Sequence, residues 1–380
     1  MKAGWQTKTL GEVLEKTETV NPLQSPDTEF DYIDVSSVSN TTFEVEQTQR
    51  LKGKDAPSRA RKLVKTNDVI FATIRPTLRR IAIVPPHLNQ QVCSTGYFVL
   101  RPKSVLDYRY MYYWLFAEEF MGQMETLQKG ASYPAVTDKE VRDQEIPFPP
   151  LPEQQRIIAL LDAAFDGIAT AKANAEKNLQ NARAIFESHL QSVFSRKGNG
   201  WTNKKLNQIS QNLDSKRIPI TKSDRKSGEY RYYGASGIVD YVDGYIFDGN
   251  TLLVSEDGAN LLARSTPIAF SVSGKYWVNN HAHILKFESM ATQRCVEFYL
   301  ESIPLDDYIT GAAQPKLNQQ ALNSIPIFIP DTEDKQQKVV EEIEVLSEQT
   351  ERLESIYKQK LTALDELKKS LLHRAFNGDL

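Results

Sequence analysis

The stretch that decides the fold covers residues 151–196 and begins with the letters LPEQQRIIALLDAAF. Pro152 suits a first helical turn, where its missing N–H is not needed, and Glu153 brings negative charge to the positive end of the helix dipole. No other proline occurs before Gly198, and apolar side chains recur every three or four residues, the spacing of a coiled-coil seam. The stretch therefore predicts one helix of roughly 60–65 Å, whose apolar stripe needs a partner.

The partner lies in the same chain, where a second helical pattern covers residues 331–377. The two patterns match at a constant offset, since Gln155 corresponds to Gln337 and Leu161 to Ile343, each 182 positions later. A constant offset indicates an internal repeat, and we expect the two helices to pack antiparallel. The predicted seam of the second helix consists of Ile343, Leu346, Thr350, Leu353, Tyr357, Lys360, Leu364, Leu367 and Leu371.

The segments that precede the two helices also repeat. Residues 4–13 read GWQTKTLGEV and residues 200–209 read GWTNKKLNQI, and turn-rich alternating stretches typical of short strands follow each. The sequence therefore predicts an α+β protein, in which two globular mixed α/β domains are joined by a long antiparallel two-helix coiled coil with a pseudo-two-fold internal repeat. The predicted segments are 1–150 and 198–330 for the domains, and 151–197 and 331–380 for the helices.

Composition narrows the class of protein. A chain of 380 residues with 40% hydrophobic and 25% charged residues is expected to form two or three globular domains. No apolar run is long enough to span a membrane, and the first residues lack the apolar segment of a signal peptide. Two cysteines, Cys93 and Cys295, are too few for a disulfide framework or a zinc site. These features predict a cytoplasmic protein.

Positive charge is concentrated in two places, although the net charge of the chain is −3. One cluster alone is most simply a solvated loop, but two clusters at similar places in two repeats favour contact with phosphates. We predict that the first cluster contacts nucleic acid, with Arg75 at a strand end reaching a base and the loop residues reaching phosphates. The predicted contacts are Arg59, Arg61, Lys62, Arg75, Arg79 and Arg80 in the first domain, and Lys216 and Arg217 in the second.

No motif in the sequence predicts catalysis. A phosphate-binding Gly-Lys-Ser/Thr loop, a GxGxxG turn after a strand and an Asn-Pro-Pro-aromatic stretch are all absent. The acids between Asp331 and Asp334 faintly resemble a nuclease pattern, but acids at a helix start are explained by the helix dipole. His281 and His283 lie two apart on a predicted strand and would share a face, as metal ligands do. Without a third ligand we favour nucleic-acid contact or packing over metal binding.

Taken together, these residues resemble the specificity subunit of type I restriction-modification systems. Two tracts carry the resemblance, because each leads into a long helix. They are residues 146–155, IPFPPLPEQQ, and residues 325–330, IPIFIP, with Gln336 and Gln337. Three shorter motifs also match: residues 311–317, GAAQPKL, residues 233–237, YGASG, and residues 279–283, NNHAH. Three features depart from the pattern. Tyr133 stands where Gln314 stands in the second copy, residues 331–334 read DTED instead of Leu-Pro-Glu, and the first domain lacks Gly-Ala-Ser-Gly.

The resemblance implies a DNA sequence-recognition subunit that reads a bipartite target with a non-specific gap. It implies docking of two adenine methyltransferase subunits and of restriction subunits, with S-adenosylmethionine held by the methyltransferase and no cofactor in this chain. A non-catalytic protein without a metal follows from the same resemblance. Two alternatives stay open: a coiled-coil scaffold that binds only proteins, and a DNA-modifying enzyme in its own right, which the missing motifs disfavour.

The resemblance also directs the remaining site predictions. In the second domain we predict DNA contact by Ser236, His281, His283 and Lys316, because the glycines around Ser236 allow close backbone approach and a neutral histidine can both donate and accept hydrogen bonds. Docking of partner subunits is predicted where the helices meet the domains, at Gln154, Gln155, Gln336 and Gln337.

Overall fold

A computed structural model of the chain describes residues 4–195, 198–311 and 313–380. The structure divides into two compact units: unit 1 contains Met1–Ala175 and Gln359–Leu380, and unit 2 contains Glu176–Lys358. Each unit therefore combines one globular domain with parts of both long helices. Residues 196 and 197, where the first helix is predicted to end, lie outside the described residues, as do residues 1–3. Among the residues described, no helix combines the length and the apolar character that crossing a membrane requires.

Among its described residues, the globular part of unit 1 contains nine short strands and four short α-helices. Its strands are β1 (Gln6–Thr9), β2 (Glu29–Ile33), β3 (Gln49–Lys52), β4 (Ala60–Leu63), β5 (Val69–Ala72), β6 (Ile81–Ile83), β7 (Val92–Ser94), β8 (Tyr97–Leu100) and β9 (Glu145–Phe148) among the described residues. Its helices are α1 (Leu10–Val13), α2 (Tyr108–Trp114), α3 (Glu118–Leu127) and α4 (Asp138–Arg142), after which α5 (Leu151–Phe194) begins at the predicted residue. Three sheets result, with the orders β3-β2-β7-β4, β6-β5-β8 and β1-β9.

Unit 2 repeats this arrangement. Its strands are β10 (Trp201–Lys205), β11 (Gln211–Asn212), β12 (Ser227–Gly234), β13 (Gly237–Val242), β14 (Phe247–Asp248), β15 (Thr251–Ser255), β16 (Ala269–Val272), β17 (Lys275–Val278), β18 (Ala282–Lys286) and β19 (Pro326–Pro330). Its helices are α6 (Leu206–Ile209), α7 (Asn260–Ala263), α8 (Met290–Ser302), α9 (Gln319–Ser324) and α10 (Glu333–Asn377), the last of which continues into unit 1. The sheet orders are β13-β12-β17-β14, β11-β18-β15-β16 and β10-β19. The parallel pair β12–β17 corresponds to β2–β7, so the predicted internal repeat is confirmed.

The core of each unit includes the long helices. All four residues of β5 and all four of β8 are buried, as expected for short apolar runs covered on both faces. In unit 1 this core takes in Ile158 and Leu161 of α5 and Leu372 of α10. In unit 2 the core takes in Val193 of α5 and Ile343 of α10. The apolar stripes of the helices are therefore covered partly by the domains.

The same type of ion pair ties a domain helix to a long helix in each unit. In unit 1, Arg109 of α2 donates to Asp162 of α5 at 2.6 Å. In unit 2, Arg294 of α8 donates to Glu344 of α10 at 3.0 Å. Asp162 and Glu344 lie 182 positions apart, the offset of the two helical patterns. The repeat therefore extends to the way each helix is held against its domain.

Within each unit the two long helices run antiparallel. In unit 1, Arg156 donates to the carbonyl oxygen of Leu380 at 2.7 Å, while Lys172, further along α5, lies 2.6 Å from the earlier residue Asp365 of α10. In unit 2, Arg183 lies 2.8 Å from Glu354. The predicted fold class, with two mixed domains and two long paired helices, is confirmed.

Six of the nine predicted seam residues of α10 are buried or half-buried, whereas Leu353, Lys360 and Leu367 are exposed. Leu353 and Leu367 are 43% and 47% exposed, and the neighbouring Glu354 and Lys368 are half-buried instead. Glu354 accepts hydrogen bonds from Arg183 within unit 2, and the Lys368 ammonium in unit 1 lies 5.0 Å from the ring centroid of Phe165. Because the charged groups have partners and their carbon stems are apolar, they can occupy seam positions that the sequence pattern gave to leucines.

Candidate nucleic-acid interface

Arg75 is exposed in the loop that follows β5. Its backbone has φ of +50°, a left-handed conformation that is uncommon for residues other than glycine. The backbone N–H of Arg75 donates to the carbonyl oxygen of Pro134 at 2.7 Å, and its Nη2 donates to that of Ser132 at 3.3 Å. Its guanidinium carbon lies 5.2 Å from the centroid of the Tyr133 ring. The loop and the turn at residues 130–134 therefore hold each other.

The turn at residues 130–134, which we call the first tip, is firmly shaped. Gly130 has φ of +106°, and a Cβ on it would lie 2.9 Å from the carbonyl oxygen of Tyr133. Lys129 and Ala135 exchange two backbone hydrogen bonds of 2.9 Å, and Ala135 also bridges to Ile74. The first tip presents Tyr133 with 71% of its surface exposed, which is unusual for so large an aromatic side chain.

A Gly130→Ala variant tests the shape of the first tip. We expect it to lower the free energy of unfolding by about 1–3 kcal/mol, because the added Cβ meets backbone at a positive φ. Gly122→Ala is the matched control: it lies within helix α3, and a Cβ there meets nothing within 4 Å. We expect that control to be neutral or to stabilise by about 0.5–1 kcal/mol. Urea denaturation measures both changes, and equal stability of the two variants would contradict the assignment.

The second domain has the same turn in the corresponding place. Gly311 has φ of +87°, and its Cβ would lie 2.5 Å from the carbonyl oxygen of Gln314. Thr310 and Lys316 exchange backbone hydrogen bonds of 2.9 and 2.7 Å. We call Gly311 and residues 313–315 the second tip; Ala312, which belongs to the predicted motif, lies outside the described residues.

The equivalent positions of the two tips carry different side chains. The N–H of Gly258 donates to Pro315 at 3.0 Å, as that of Arg75 donates to Pro134. Glycine therefore stands where the first domain has Arg75, and the exposed Gln314 stands where it has Tyr133. The backbone frame is repeated, whereas the groups that it presents differ.

His283 lies in the core of unit 2, with 1% of its surface exposed. Its Nδ1 is 2.6 Å from a carboxylate oxygen of Asp214, and its Nε2 is 2.7 Å from the carbonyl oxygen of Leu317. The ring is therefore held between a side chain and a backbone group of two other segments. The structure therefore corrects the prediction for His283, which joins three segments of the domain and has no surface with which to contact DNA.

Arg217 completes this buried network. Its Nη1 donates to Glu256 at 2.6 Å and to the carbonyl oxygen of Ala282 at 2.9 Å. Burial raises the pKa of Glu256, but the hydrogen bond from Arg217 and the charge of His283 outweigh it, so that the pKa lies below its ordinary value. Asp214, Glu256 and His283 lie close enough together to share a metal ion, yet their charges are already balanced by Arg217 and Lys316. We therefore interpret the group as an ion network that supports the fold.

His281 does not share a strand face with His283, because it precedes the first residue of β18. Its Nδ1 lies 2.8 and 2.9 Å from the carboxylate oxygens of Asp257, and about half of its side chain is exposed. Lys316, also half-exposed, lies 3.2 Å from Glu256. Ser236 is exposed in the turn between β12 and β13. These three residues keep the exposure that the predicted DNA contact needs.

Several side chains that are predicted to contact phosphates form hydrogen bonds within the first domain. Lys62 donates to the Tyr97 carbonyl oxygen and to Asp138, both at 2.6 Å, and is mostly buried. Arg80 donates to the carbonyl oxygens of three residues between Val35 and Val38. These contacts hold loops of the domain together, and DNA contact by Lys62 and Arg80 stays a prediction.

Of the other predicted lysines and arginines, some are bonded within their domain and others are exposed. Arg61 is half-buried and donates to the Asn21 side chain at 2.7 Å, and the mostly buried Arg217 belongs to the network above. The structure leaves Arg59 and Lys216 exposed and Arg79 partly exposed, in addition to Arg75. DNA contact stays a prediction for all of the predicted lysines and arginines.

Two of the glutamines predicted to dock partners are buried. Gln154 donates from Nε2 to the carbonyl oxygens of Pro149 and Val105, at 2.9 and 3.1 Å, and accepts from the N–H of Asp107 at 2.8 Å. Gln336 repeats this role by donating to Pro330 at 2.8 Å and accepting from Thr292. The prediction is corrected for both, since they fasten each long helix to its domain.

The other two glutamines, Gln155 and Gln337, are exposed, and Gln337 donates to Glu341 at 3.0 Å. Tyr133, by contrast, was not among the predicted site residues. A signal for it exists in the sequence, because an aromatic residue between the glycine and the proline of a tight turn has little access to a core. The matching turn of the second copy carries glutamine there.

Comparison with known proteins finds the same internal repeat. The model of the protein family described as type I restriction modification DNA specificity domain matches this chain at residues 2–180 and again at 198–363. S.HindORF215P of Haemophilus influenzae, named among the type I restriction enzyme specificity subunits, is 35% identical over 127 residues, which are 33% of this chain and 32% of that protein. The type I restriction enzyme EcoDI specificity subunit of Escherichia coli is 24% identical over 143 residues, 38% of this chain and 30% of that protein. The matched stretches thus span about a third of these relatives.

Two solved structures resemble the whole chain. One comes from work on complex assembly and conformational transition of the type I R-M system; it matches with a TM-score of 0.89 at 24% identity and covers 100% of this chain and 99% of that chain. The HsdS subunit from Thermoanaerobacter tengcongensis matches with a TM-score of 0.70 at 24% identity, covering 100% of this chain and 98% of that chain. At this identity the likeness concerns the fold.

Proposed function

Because the chain belongs to the type I restriction modification DNA specificity domain family, we propose that it is the non-catalytic subunit that reads DNA sequence in a restriction-modification complex. Each domain reads one half of a bipartite target, and the gap between the halves is not read. The observation that carries this proposal is the pair of tips, which share backbone bonds but present different side chains. Base edges carry the sequence information in DNA, so two frames with different side chains suit two different half-sites.

The exposed polar residues around each tip are the proposed DNA contacts. In the first domain they are Arg59, Arg75 and Arg79, and in the second domain Lys216, Ser236, His281 and Lys316. Phosphate contacts fix the position on the duplex, and a smaller number of base contacts select the sequence. Arg75 stays the proposed base contact of the first domain, because a guanidinium can donate two parallel hydrogen bonds to one base edge.

Catalysis is assigned to partner subunits. A methyltransferase subunit that holds S-adenosylmethionine would modify adenine, and a restriction subunit would cleave DNA, as the family resemblance implies. The sequence carries none of the phosphate-loop or adenine-methyltransferase motifs that such chemistry uses. The proposed role of this chain is to place those enzymes on a chosen sequence.

Because Gln154 and Gln336 are buried, we place the proposed docking site for the partner subunit further along α10. Within unit 2, Val345, Leu353 and Ile356 are between 43% and 56% exposed. Their spacing of eight and three residues places them on one side of the helix. Three exposed glutamates lie on or beside this side of the helix, namely Glu341, Glu342 and Glu348. An apolar stripe with an acidic border suits a partner helix that has an apolar stripe and a basic border.

An Ile356→Glu variant tests this docking site. We expect at least about a tenfold loss of affinity for the methyltransferase subunit, because a buried interface would have to accept an unpaired carboxylate. Ser355→Glu is the matched control, since it adds the same charge at the neighbouring exposed position on another side of the helix. Co-purification and calorimetric titration with the methyltransferase subunit measure both. Equal binding of the two variants would remove the stripe from the interface.

Methylome sequencing tests the function itself. Cells that make the methyltransferase subunit are compared with and without this chain. We expect one bipartite adenine-methylated motif that appears only when the chain is present. A protein-binding scaffold without DNA specificity would leave the set of methylated sequences unchanged.

A further inference from the structure

We propose that Tyr133 is a specificity-positioning residue, which holds the Arg75 guanidinium against a guanine in the half-site that the first domain reads. This inference rests on the proposed function and adds to it the base that is read and the side chain that aims the reading group. It starts from an unusual exposure, because 71% of the surface of Tyr133 is open although its backbone lies in a tightly bonded turn.

Arg75 is held at two points, its backbone N–H and its guanidinium. Its N–H donates to Pro134 at 2.7 Å, which sets the strand end against the first tip. Its guanidinium carbon lies 5.2 Å from the centroid of the Tyr133 ring, within the range of a cation–π contact. The bond from Nη2 to Ser132, at 3.3 Å, is long and uses one of the five N–H donors. The remaining donors are available to a ligand beyond the tip.

The chemistry of the pair selects the base. An arginine that donates two parallel hydrogen bonds matches the O6 and N7 acceptors of guanine in the major groove. A flexible arginine would give up conformational freedom when it binds, so a ring that already orients the guanidinium reduces that cost. Leu78, exposed three residues after Arg75, adds an apolar side chain to the same loop. The first domain thus presents the oriented guanidinium of Arg75 next to an apolar side chain.

The second tip lacks this pair. Gly258 stands in the position of Arg75 and Gln314 in the position of Tyr133, although the backbone bonds are the same. A glutamine amide suits adenine, which offers one donor and one acceptor. The two half-sites should therefore differ at the base pair that the tips face, with guanine required only on the side of the first domain.

The test uses the full chain in complex with its methyltransferase subunit and a set of duplexes with single base changes in the target. Three variants are compared with the wild type: Tyr133→Phe, Tyr133→Ala and Arg75→Ala. We expect the wild type and Tyr133→Phe to discriminate alike, because phenylalanine keeps the ring face. Tyr133→Ala and Arg75→Ala should lose roughly 5- to 150-fold of discrimination at one guanine of the first half-site. Discrimination in the second half-site should stay unchanged.

Each of the following results would overturn the inference. Full discrimination by Tyr133→Ala would show that the ring does not aim the arginine. An equal loss on every duplex would indicate a phosphate contact or a folding defect. Loss of discrimination by Tyr133→Phe would show that the ring face is not what orients the arginine. Loss of discrimination at a base other than guanine would reject the proposed base. If the wild-type complex itself shows no chain-dependent bipartite target, the proposed function fails and Tyr133 has no half-site to act on.

Discussion

Replacing Phe376 by alanine is expected to lower the free energy of unfolding of unit 1 by about 3–5 kcal/mol. The side chain is almost fully buried, and its ring centroid lies 5.1 Å from those of both Tyr110 and Trp114 in edge contacts. Truncation leaves a cavity in a core that α2, α5 and the end of α10 build together. Loss of these contacts should detach the last turns of α10 from the domain.

Hydrogen exchange measured by mass spectrometry can locate this effect. In Phe376→Ala we expect faster exchange in α2 and at the end of α10, with unit 2 less affected. Phe194 is the counterpart in the repeat, packed on Tyr299 at 5.4 Å, and Phe194→Ala should give the converse pattern. Leu367→Ala, an exposed change on the same helix, should cost less than about 0.5 kcal/mol. If Leu367→Ala and Phe376→Ala were equally stable, the described packing would be wrong.

Replacing Asp214 by alanine should cost about 3–5 kcal/mol, because it removes the carboxylate that bonds to the buried His283 ring. Asp214 accepts from His283 at 2.6 Å and from the N–H of Ile284 at 2.9 Å. Asp243→Ala, at an exposed position of the same unit, should change stability by less than about 0.5 kcal/mol. Thermal or urea denaturation of both variants compares the two costs directly.

The same carboxylate predicts a dependence on pH. Burial raises the pKa of Asp214, but the hydrogen bond and charge of His283 outweigh it, and the pKa lies below its ordinary value. A carboxyl group with a depressed folded pKa stabilises the protein above its unfolded pKa, near about 3.9, and loses that contribution as the pH falls through the folded value. Wild-type stability should therefore drop more steeply below about pH 4 than that of Asp214→Ala. Parallel curves would contradict the network.

The fold could be predicted from the sequence because its strongest signals are periodic. A long helix beginning at Leu151 follows from spacing alone, and a constant offset reveals the repeat. The inward-facing residues of α10 near Leu353 and Leu367 were harder to predict, since these leucines are better seam residues by type than Glu354 and Lys368. Glu354 pairs with Arg183 and Lys368 packs on Phe165. Both contacts involve partners that are distant in sequence.

Residues in the candidate site were predicted less well, because residue type does not give burial. Lysine and glutamine are usually exposed and histidine is intermediate, yet His283, Lys62 and Gln154 each bond to carbonyl groups of distant segments. Arg75 lies exposed in the loop that follows β5, close to the predicted strand end. Its contact with Tyr133 depends on two loops that meet only in the fold.

The most direct test of the central claim, that each domain reads its own half-site, is methylome sequencing of three strains. Each strain makes the methyltransferase subunit together with the wild-type chain, Arg75→Ala or Gln314→Ala. We predict a bipartite motif for the wild type, a change confined to one half for Arg75→Ala, and a change confined to the other half for Gln314→Ala, with the gap unchanged. Changes by both variants in the same half, or a motif that does not depend on this chain, would contradict the account.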